Sequence, residues 1–346
     1  MPKLLIVTDT WTPQINGVVT AYRQIIPKIK ARGIDVVVVH PEMFRTIPAP
    51  FYPEVRLSIV LPGALRELIE HERPDFIHSA VEGPLGNAAR IACRQLALSF
   101  TSAYHTHLPQ YAERYLGSAN GLVADLVWRN LRRFHGSAAA TMVATAGLRD
   151  LLVAHGFANL LLWPLGTDIE LFRPRGKIAG EAAKIPRPRF GYVGRVAKEK
   201  SVEEFLNLDL PGAKVVVGDG PMRPQLQAQY PEAHFVGYKH GEDLAAWLSA
   251  LDVMVFPSRA ETFGLVVIEA LACGVPVAAH DVMGPRDVLT PGIDGHLSHD
   301  LKDAALKCLS LSRAQCRRKA LSYSWDASAA AFVDNLVPAR DRASIL

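Results

Sequence analysis

Short apolar runs rich in valine, isoleucine and leucine alternate along the chain with longer segments whose apolar residues recur at helical spacing. This alternation predicts parallel β-sheets with helical crossovers. The predicted strands of the first half are Leu4–Thr8, Val36–His40, Phe76–Ser79, Thr101–His105, Ala140–Ala144 and Leu160–Pro164. Those of the second half are Phe190–Gly194, Val215–Gly218, Phe235–Tyr238, Val253–Pro257 and Val277–His280. The pattern therefore predicts an α/β protein with one Rossmann-like sheet in each half.

Proline and glycine are dense between the two halves, in residues 174–176 and 185–188, which is typical of a connector. We therefore predict an N-terminal domain over residues 1–170, a linker over 171–188 and a C-terminal domain over 189–320. Trp325–Leu336 shows helical spacing with no strand after it, which predicts that residues 321–346 form a closing helix packed back on the N-terminal domain. A chain of 346 residues is long enough for two such domains.

Composition excludes several classes of protein. Apolar residues make up 49% of the chain and charged residues 21%, which argues against disorder and collagen-like repeats. No apolar run approaches the roughly 20 residues of a spanning helix. Asp9 comes too early for a signal-peptide core, and the four cysteines form no C-x-x-C unit. We expect a cytoplasmic protein with reduced thiols.

Charge is unevenly distributed. Residues 1–165 hold 16 basic against 12 acidic residues, whereas residues 166–346 hold 22 of each. The excess in the first half could attract anions, and a solvated basic face with no partner is the alternative. We expect no nucleic-acid partner.

The loops after the predicted strands, where open α/β sheets bind ligands, carry glycine and basic residues. Gly17 precedes a predicted helix, where a phosphate could approach backbone N–H groups, although it could equally be a plain turn glycine. Gly194 and Arg195 end the first strand of the second half, and Lys200 follows Arg195 after four intervening residues. Two cations on one loop can neutralise a diphosphate, and a solvated charge cluster is the alternative.

The segment after the fourth predicted strand of the second half contains a Glu-x7-Glu spacing, Glu261 and Glu269. Between them, Phe263, Gly264 and Leu265 offer backbone N–H groups at a predicted helix start. Carboxylates accept hydrogen bonds from ribose or hexose hydroxyls, so this segment could hold both ends of a sugar nucleotide. The two carboxylates could also be the acid and base of a hydrolase, but the glycine-containing loop favours sugar-nucleotide binding.

His105 ends the fourth predicted strand of the first half, where it could contact a substrate or move a proton. His107 completes a His-x-His spacing, but no third ligand lies nearby in the sequence, so we predict no metal site. The chain contains no Asp-x-Asp pair, the usual mark of metal-chelated diphosphate chemistry. Arg195 and Lys200 would supply that charge, so we expect no cofactor and no required divalent ion.

Together these motifs resemble the retaining glycosyltransferases of family 4, which have the GT-B fold of two Rossmann-like domains facing across a cleft. The resemblance extends from KLLIVTD to the SWD segment of the closing helix, and its most specific part is GR-x4-K with Glu-x7-Glu. TPQINGVV, EGPLG (Glu82–Gly86), YHTHLPQY and GTDIELF (Gly166–Phe172) are similar to sulfoquinovosyl-diacylglycerol synthases and related lipid-directed α-glycosyl- and α-mannosyltransferases. The chain departs from the family pattern at residues 283–285, where many relatives have paired glycines.

The resemblance implies roles for the candidate residues in a donor site on the C-terminal domain and an acceptor site on the N-terminal domain. Arg195 and Lys200 would bind the donor diphosphate, Gly17 would leave room for it, and Gly194 would belong to the same site. Glu269 would bind the ribose. Glu261 and the backbone of Phe263, Gly264 and Leu265 would hold the donor sugar, and His105 would lie near its reacting carbon.

The implied activity is transfer of a hexose of the mannose, glucose or glucuronic acid type from a UDP- or GDP-linked donor. The expected acceptor is a membrane glycolipid precursor such as diacylglycerol. The family mechanism is front-face displacement, in which the leaving phosphate helps to deprotonate the acceptor. The alternatives are a nucleotide-sugar epimerase of GT-B architecture, a glycosyltransferase acting on a polysaccharide or polyprenyl-linked acceptor, and a non-catalytic nucleotide-sugar sensor.

Residues 122–134 combine apolar positions at near-helical spacing with three arginines and a tryptophan. The apolar residues are Leu122, Val123, Leu126, Val127, Leu131 and Phe134, and the others are Arg129, Arg132, Arg133 and Trp128. We predict that this segment docks the first domain on an anionic membrane surface, at the inner face of the cell membrane. The alternative is that the apolar stripe faces the domain core.

Overall fold

The computed structural model describes residues 1–14, 16–49, 52–105, 109, 121–175, 180–259 and 261–340, with the backbone alone at 49, 52–55 and 121–123. His107 and residue 176 of the predicted linker lie outside the described residues. The chain forms two compact units. Unit 1 comprises Met1–Pro164 and Trp325–Leu346, and unit 2 comprises Leu165–Ser324.

The strands of unit 1 are β1 (Lys3–Val7), β2 (Asp35–Val39), β3 (Arg45–Ala49), β4 (Tyr52–Ile59), β5 (Phe76–Ser79), β6 (Thr101–Tyr104), β7 (Ala140–Val143) and β8 (Leu160–Leu162). Six of them form a parallel sheet in the order β2-β1-β5-β6-β7-β8. Its helices are α1 (Gly17–Ala31), a 3₁₀ turn (Pro41–Met43), α2 (Pro62–Glu72), α3 (Pro84–Gln95), α4 (Gly121–His135) and α5 (Ala146–Ala154). The strands β3 and β4 form a separate antiparallel hairpin.

Unit 2 contains a second parallel sheet in the order β11-β10-β9-β12-β13-β14. Its strands are β9 (Arg189–Val193), β10 (Ala213–Val217), β11 (His234–Gly237), β12 (Val253–Phe256), β13 (Val277–Ala279) and β14 (Gly295–Leu297). Its helices are α6 (Glu181–Lys184), a 3₁₀ turn (Lys198–Lys200), α7 (Val202–Leu206), α8 (Arg223–Gln229), α9 (Gly241–Ala250), α10 (Leu265–Ala272), α11 (Pro285–Val288), α12 (Leu301–Cys308) and α13 (Arg313–Ala320). The chain then returns to unit 1 in α14 (Trp325–Asp334).

Each sheet is covered by apolar helix faces, as the sequence pattern predicts. In unit 1, Leu5 of β1 and Leu85 of α3 belong to one core cluster and are fully buried. In unit 2, Phe190 of β9 and Phe205 of α7 belong to another and are equally buried. Because both faces of each sheet are covered, the central strands β5, β6, β9 and β12 are buried along most or all of their length rather than alternating between buried and exposed positions.

Both sheets reverse their winding direction next to their first strand. In unit 1, β1 lies between β2 and β5, and in unit 2, β9 lies between β10 and β12. At such a topological switch point, the loops at the carboxyl ends of neighbouring strands separate and open a crevice. The loops after β1 and β5, and those after β9 and β12, are therefore placed for ligand binding.

The closing helix α14 packs on unit 1. Phe332 is fully buried, and its ring lies 5.0 Å from that of Trp163, centroid to centroid. The indole N–H of Trp163 donates to the backbone oxygen of Ser328 at 3.1 Å. An ion pair of 2.8 Å joins Lys28 of α1 to Asp326. Apolar packing and these polar contacts fasten the C-terminal helix to the first sheet.

The boundary between the units differs from the predicted linker over 171–188. Unit 2 begins at Leu165, because Arg317 of α13 donates to the carbonyls of Ile169 and Phe172 and so binds this segment to the second sheet. A backbone hydrogen bond of 3.2 Å also joins Thr167 to Tyr323. A high density of proline and glycine predicts a segment without regular secondary structure. It does not predict the residue at which one unit ends and the next begins.

Candidate active site

An ion pair joins the β9 and β12 loops at the switch point of unit 2. Lys200 Nζ, at the end of the β9 loop, contacts Oε1 of Glu261 in the β12 loop. The hydroxyl of Ser258 donates to the same carboxylate oxygen at 3.5 Å. The exposed fraction is 21% for the Lys200 side chain and 17% for Glu261. The structure thus brings these two predicted residues together where a ligand can reach them.

A second ion pair, which the sequence gave no reason to expect, holds the β12 loop from the other side. Arg259 of this loop contacts Glu204 of α7 at 2.9 Å. The same carboxylate oxygen lies 2.8 Å from Nε2 of His280, at the end of β13. The loop that carries Glu261 is therefore tied to the helix that follows Lys200.

Glycines allow the loops after β9 and β10 to approach each other closely. A Cβ atom on Gly218 would collide with the carbonyl oxygen of Gly194, and the φ of Gly218 is 148°. The N–H of Gly194 donates to the carbonyl of Val217 at 3.0 Å. The hydroxyl of Tyr192 donates to the carbonyl of Arg195 at 2.6 Å, which fixes the backbone beside the first predicted cation.

The predicted sugar-binding backbone lies at the start of α10. Gly264 has a φ of 83°, and the helix begins at Leu265. The Phe263 side chain is 3% exposed and packs at 6.0 Å on the ring of Tyr323, so only its backbone can serve a ligand. The first N–H groups of a helix have no acceptor inside it, and they lie at the positive end of its dipole. This helix start therefore offers hydrogen-bond donors to a ligand.

The segment that departs from the family pattern packs against the same loop. Gly284 has a φ of 88°, and a Cβ atom there would lie 2.8 Å from the carbonyl oxygen of Glu261. One glycine is thus sufficient for the close approach of this segment to the backbone of Glu261.

Glu269 lies on α10 in a half-buried position. Burial raises the pKa of its carboxyl group to about 7. Among the described residues, no group forms a hydrogen bond or ion pair with this carboxylate. A carboxylate that has lost part of its hydration without gaining a protein partner is suited to accept hydrogen bonds from ligand hydroxyls.

In unit 1, Gly17 begins α1 directly after the β1 loop. The helix is capped by Asn16, whose side-chain oxygen accepts from the N–H of Val19 at 3.0 Å. The amide group of Asn16 also donates to Thr10 Oγ1 at 2.8 Å. Gly17 therefore has the location predicted for it, at the N-terminus of the first helix, and its cap shapes the loop.

His105 follows β6 and is half-buried. Its Nε2 lies 3.2 Å from the hydroxyl of Tyr22 on α1, and that hydroxyl lies 2.7 Å from Nε2 of His78 on β5. Burial lowers the pKa of His105 to about 4, so the ring is neutral at pH 7. Sequence reasoning missed Tyr22 and His78, since both look like core positions of a helix and a strand.

Two carboxylates lie at the carboxyl ends of β1 and β5. Asp9 caps α3 by accepting from the N–H groups of Leu85 at 2.8 Å and Gly86 at 3.1 Å, and burial raises its pKa to about 6. Burial, together with the nearby Asp9, raises the pKa of Glu82 to about 7. Oε2 of Glu82 lies 3.9 Å from Nε2 of the fully buried His135. Because both pKa values are raised in the folded protein, the protonation of Asp9 and Glu82 contributes to the stability of this part of unit 1.

Helix α4 contains the segment that is predicted to dock on a membrane, residues 122–134. Leu131 and Phe134 face the core at 1% exposure, whereas Leu126 is 63% exposed. Trp128 stacks on His155 with ring centroids 3.9 Å apart. The three arginines are exposed, and among the described residues none of them forms an ion pair. The stripe is thus divided between core and surface, and the side chains of residues 122 and 123 lie outside the described part of the chain.

The described residues contain neither a metal-binding cluster nor a membrane-spanning helix. No three His, Cys, Asp or Glu side chains are grouped closely enough to hold a metal ion. No helix in the described part of the chain is long and apolar enough to cross a bilayer.

The structure has two doubly wound domains, and at the switch point of unit 2 a lysine of one loop contacts a glutamate of another. This fold and this site define a glycosyltransferase of the GT-B class. Residues 15–171 match the family model for Glycosyltransferase Family 4, and residues 187–313 match the model for Glycosyl transferases group 1. The chain belongs to glycosyltransferase family 4, which confirms the resemblance found in its motifs.

Curated relatives cover most of the chain. A GDP-mannose-dependent alpha-mannosyltransferase of Mycobacterium tuberculosis is 30% identical over 93% of this chain and 93% of its own length. The sulfoquinovosyl transferase SQD2 of Arabidopsis thaliana is 30% identical over 86% of this chain and 64% of its own. An alpha-monoglucosyldiacylglycerol synthase of Streptococcus pneumoniae is 26% identical over 87% of this chain and 77% of its own.

Solved structures share the fold. A sucrose-phosphate synthase from Thermosynechococcus elongatus superposes with a TM-score of 0.74 at 21% identity, covering 96% of this chain and 98% of that one. The predicted GT-B fold is therefore confirmed.

Proposed function

We propose that this glycosyltransferase moves a hexose from a nucleotide diphosphate sugar to a hydroxyl group of a membrane glycolipid precursor, with retention of configuration. The observation that supports this most directly is the contact between Lys200 and Glu261, with Arg195 on the same loop as Lys200. It combines cations for a diphosphate with a carboxylate for sugar hydroxyls at one switch point.

Each group has a task that suits its chemistry. Arg195 and Lys200 stabilise the charge that develops on the diphosphate as the glycosidic bond breaks. Glu269 accepts hydrogen bonds from the ribose, and the absence of a partner for its carboxylate among the residues that the structure describes supports this role. Glu261 and the N–H groups at the start of α10 orient the hexose. The leaving phosphate accepts the proton of the acceptor hydroxyl.

His105 belongs to the same proposal, as the residue of unit 1 that contacts the hexose near its reacting carbon. Gly17 keeps the start of α1 open to the diphosphate. Both residues follow strands of the first sheet, where ligands bind in open α/β folds. The hexose is of the mannose, glucose or glucuronic acid type, carried by UDP or GDP. A curated relative uses GDP-mannose, which supports one of these donors.

The acceptor is proposed to be a lipid such as diacylglycerol, reached from the cytoplasmic face of the cell membrane. A relative named as an alpha-monoglucosyldiacylglycerol synthase supports this class of acceptor. The exposed arginines of α4 and the exposed Leu126 support a surface that docks on anionic lipid.

The experiment is product analysis. The protein is incubated with UDP- and GDP-linked glucose, mannose and glucuronic acid, with and without diacylglycerol, and products are identified by mass and by anomeric configuration. An α-linked glycolipid formed only with acceptor supports the proposal. Conversion of the donor without acceptor would favour an epimerase. Transfer only to polyprenyl-linked or polysaccharide acceptors would contradict the proposed lipid acceptor.

A second arm tests metal independence. Since Arg195 and Lys200 neutralise the diphosphate in this proposal, we expect activity to survive EDTA. Complete loss of activity in chelator, restored by Mg²⁺ or Mn²⁺, would contradict it.

A further inference from the structure

A chain of buried polar side chains runs inside unit 1 from His105 to a backbone carbonyl of the first sheet. His105 Nε2 lies 3.2 Å from the hydroxyl of Tyr22, which lies 2.7 Å from His78 Nε2. On the other side of the ring, His78 Nδ1 lies 2.9 Å from Thr101 Oγ1. That hydroxyl donates to the carbonyl of Ile77 at 3.3 Å. Tyr22, His78 and Thr101 are fully buried, so solvent replaces none of these bonds.

Tyr22, His78 and Thr101 each make two of these hydrogen bonds, one as donor and one as acceptor, and His105 ends the series through its bond to Tyr22. Burial lowers the pKa of His78 to about 3 and that of His105 to about 4, so both rings are neutral at pH 7. A neutral imidazole donates from one nitrogen and accepts at the other. Burial raises the pKa of the Tyr22 phenol, which keeps its proton. The hydrogen bonds along these side chains can therefore all be donated in only one of two directions, toward the carbonyl of Ile77 or away from it.

The carbonyl of Ile77 selects one of these directions, because a carbonyl only accepts. Thr101 donates to it and therefore accepts from Nδ1–H of His78. Nε2 of His78 then accepts from the hydroxyl of Tyr22, whose oxygen accepts from Nε2–H of His105. The opposite direction leaves no hydrogen between Thr101 and Ile77, and it loses one bond where water cannot compensate.

We propose that this chain sets the tautomer of His105, with the proton on Nε2 and with Nδ1 as the acceptor nitrogen. Tyr22 and Thr101 are then positioning residues for His105. The consequence for turnover rests on the proposed function: Nδ1 accepts a hydrogen bond from a hydroxyl group of the hexose or of the acceptor. The tautomer itself is inferred from the contacts described above and involves no substrate.

The decisive comparison is Thr101→Val against Thr101→Ser, because only the serine keeps a hydroxyl. In Thr101→Val, Nδ1–H of His78 would face a methyl group, and a buried N–H without an acceptor is less tolerated than a bare lone pair. The chain then reverses, and the proton of His105 moves to Nδ1. A change three hydrogen bonds away thus alters the chemistry of His105.

Long-range proton–nitrogen correlation spectra of histidine-labelled protein near pH 7 report the tautomer of each ring. His105→Gln and His78→Gln identify the two signals. We expect Nε2–H for His105 in the wild type and in Thr101→Ser, and Nδ1–H in Thr101→Val. Nδ1–H in the wild type, or one tautomer in both Thr101 variants, would overturn the proposal. If Thr101→Val fails to fold, Tyr22→Phe replaces it. A His105 ring that stays entirely in the Nε2–H tautomer in Tyr22→Phe would contradict the proposal.

Kinetics test the consequence for turnover. We expect Thr101→Val to lower kcat/KM about tenfold, the effect of one lost or reversed hydrogen bond, while Thr101→Ser stays within about twofold of the wild type. Tyr230→Phe removes the hydroxyl of another tyrosine, in unit 2, which donates to Asn207 at 2.6 Å, and serves as the matched control. A reversed tautomer with unchanged kcat/KM would exclude the positioning role. Absence of any transferase activity in the wild type would instead count against the proposed function, because the spectra need no substrate.

Discussion

The contact between Lys200 and Glu261 pairs the two kinds of group that a sugar nucleotide requires. The ammonium suits a phosphate and the carboxylate suits a hydroxyl, and each partly neutralises the other in the absence of ligand. Both charges remain partly exposed, so their attraction is screened and can be exchanged for ligand contacts. The pair joins the β9 loop to the β12 loop.

We expect Arg195→Ala and Lys200→Ala each to lower kcat/KM for the donor about tenfold or more. Each change removes a charge-assisted contact worth about 1.5–3 kcal/mol. Lys198→Ala, an exposed lysine of the same loop, is the matched control and should leave the kinetics unchanged. Steady-state rates equal to the wild type in both test variants would contradict the diphosphate assignment.

Glu269 should make nucleotide binding depend on pH. Its raised pKa of about 7 means that the carboxylate form increases as the pH rises through that value. Because the ionised group accepts hydrogen bonds more strongly, we expect UDP or GDP to bind more tightly above this pH and to release protons on binding.

Calorimetric titration at several pH values around 7, in buffers of different ionisation enthalpy, measures both effects. Glu269→Gln should remove the pH dependence, and Glu232→Gln, at an exposed position of the same unit, should retain it. An identical pH profile in wild type and Glu269→Gln would exclude a role for this carboxyl group.

The sequence predicted Lys200 and Glu261 in loops that follow strands, and the structure brings the two together because loop residues after adjacent strands of one sheet meet at its edge. It could not find Tyr22 or His78. A tyrosine on the apolar face of α1 and a histidine within β5 have the pattern of core residues, and only their distances reveal the hydrogen bonds.

At the scale of elements, the connection between β5 and α3 is sensitive to protonation. Asp9 caps α3, while the side chain of Glu82 is 9% exposed beside it. Burial raises the pKa of Glu82 from 4.5 to about 7, so the folded protein holds a proton that the unfolded chain has released over this range. The free energy of unfolding therefore falls as the pH rises from about 4.5 to about 7.

We expect Glu82→Gln to unfold at higher denaturant concentration than the wild type at about pH 8, and the difference to vanish near pH 4.5. The gain at high pH should reach a few kcal/mol, since one pKa unit corresponds to about 1.4 kcal/mol. Glu67→Gln, at an exposed position of α2, is the control. A difference that is equal at both pH values would point to packing rather than ionisation.

Hydrophobic pattern located every core strand of unit 1 and five of the six strands of unit 2 to within two residues at either end. It missed β14, which has only three residues and includes a glycine and a histidine. It also missed the hairpin of β3 and β4, where Pro48 and Pro53 interrupt the runs that identify a strand. Such strands form because a neighbouring strand supplies the hydrogen bonds, which a local pattern cannot show.

For the molecule as a whole, the excess of basic residues in the first half has a structural counterpart. The pKa of Arg90 is lowered by burial and by the nearby Arg133 and Arg94, which shows that these cations of α3 and α4 lie together. Among the described residues, none of the three forms an ion pair. A cationic cluster without counterions attracts anionic surfaces.

We expect the protein to sediment with vesicles of anionic lipid at low salt, and to bind neutral vesicles less well. Replacing Arg129, Arg132 and Arg133 with serine should reduce this binding, at about 1 kcal/mol per arginine. The control replaces the exposed Arg66 and the half-buried Arg149, arginines of the same unit that are paired with carboxylates. Equal binding to both vesicle types, or unchanged binding by the triple variant, would contradict the proposed docking on anionic membranes. The proposed transferase activity would be unaffected.

The return of the chain to unit 1 in α14 has a consequence for biosynthesis. Unit 2 is one uninterrupted stretch, Leu165–Ser324, whereas unit 1 requires residues from both sides of it. A ribosome releases the chain from its N-terminus, so all of unit 2 is available for folding before Phe332 leaves the exit tunnel. Until then, Tyr22 and Trp163 lack the ring that covers them. Unit 1, although synthesised first, is completed last.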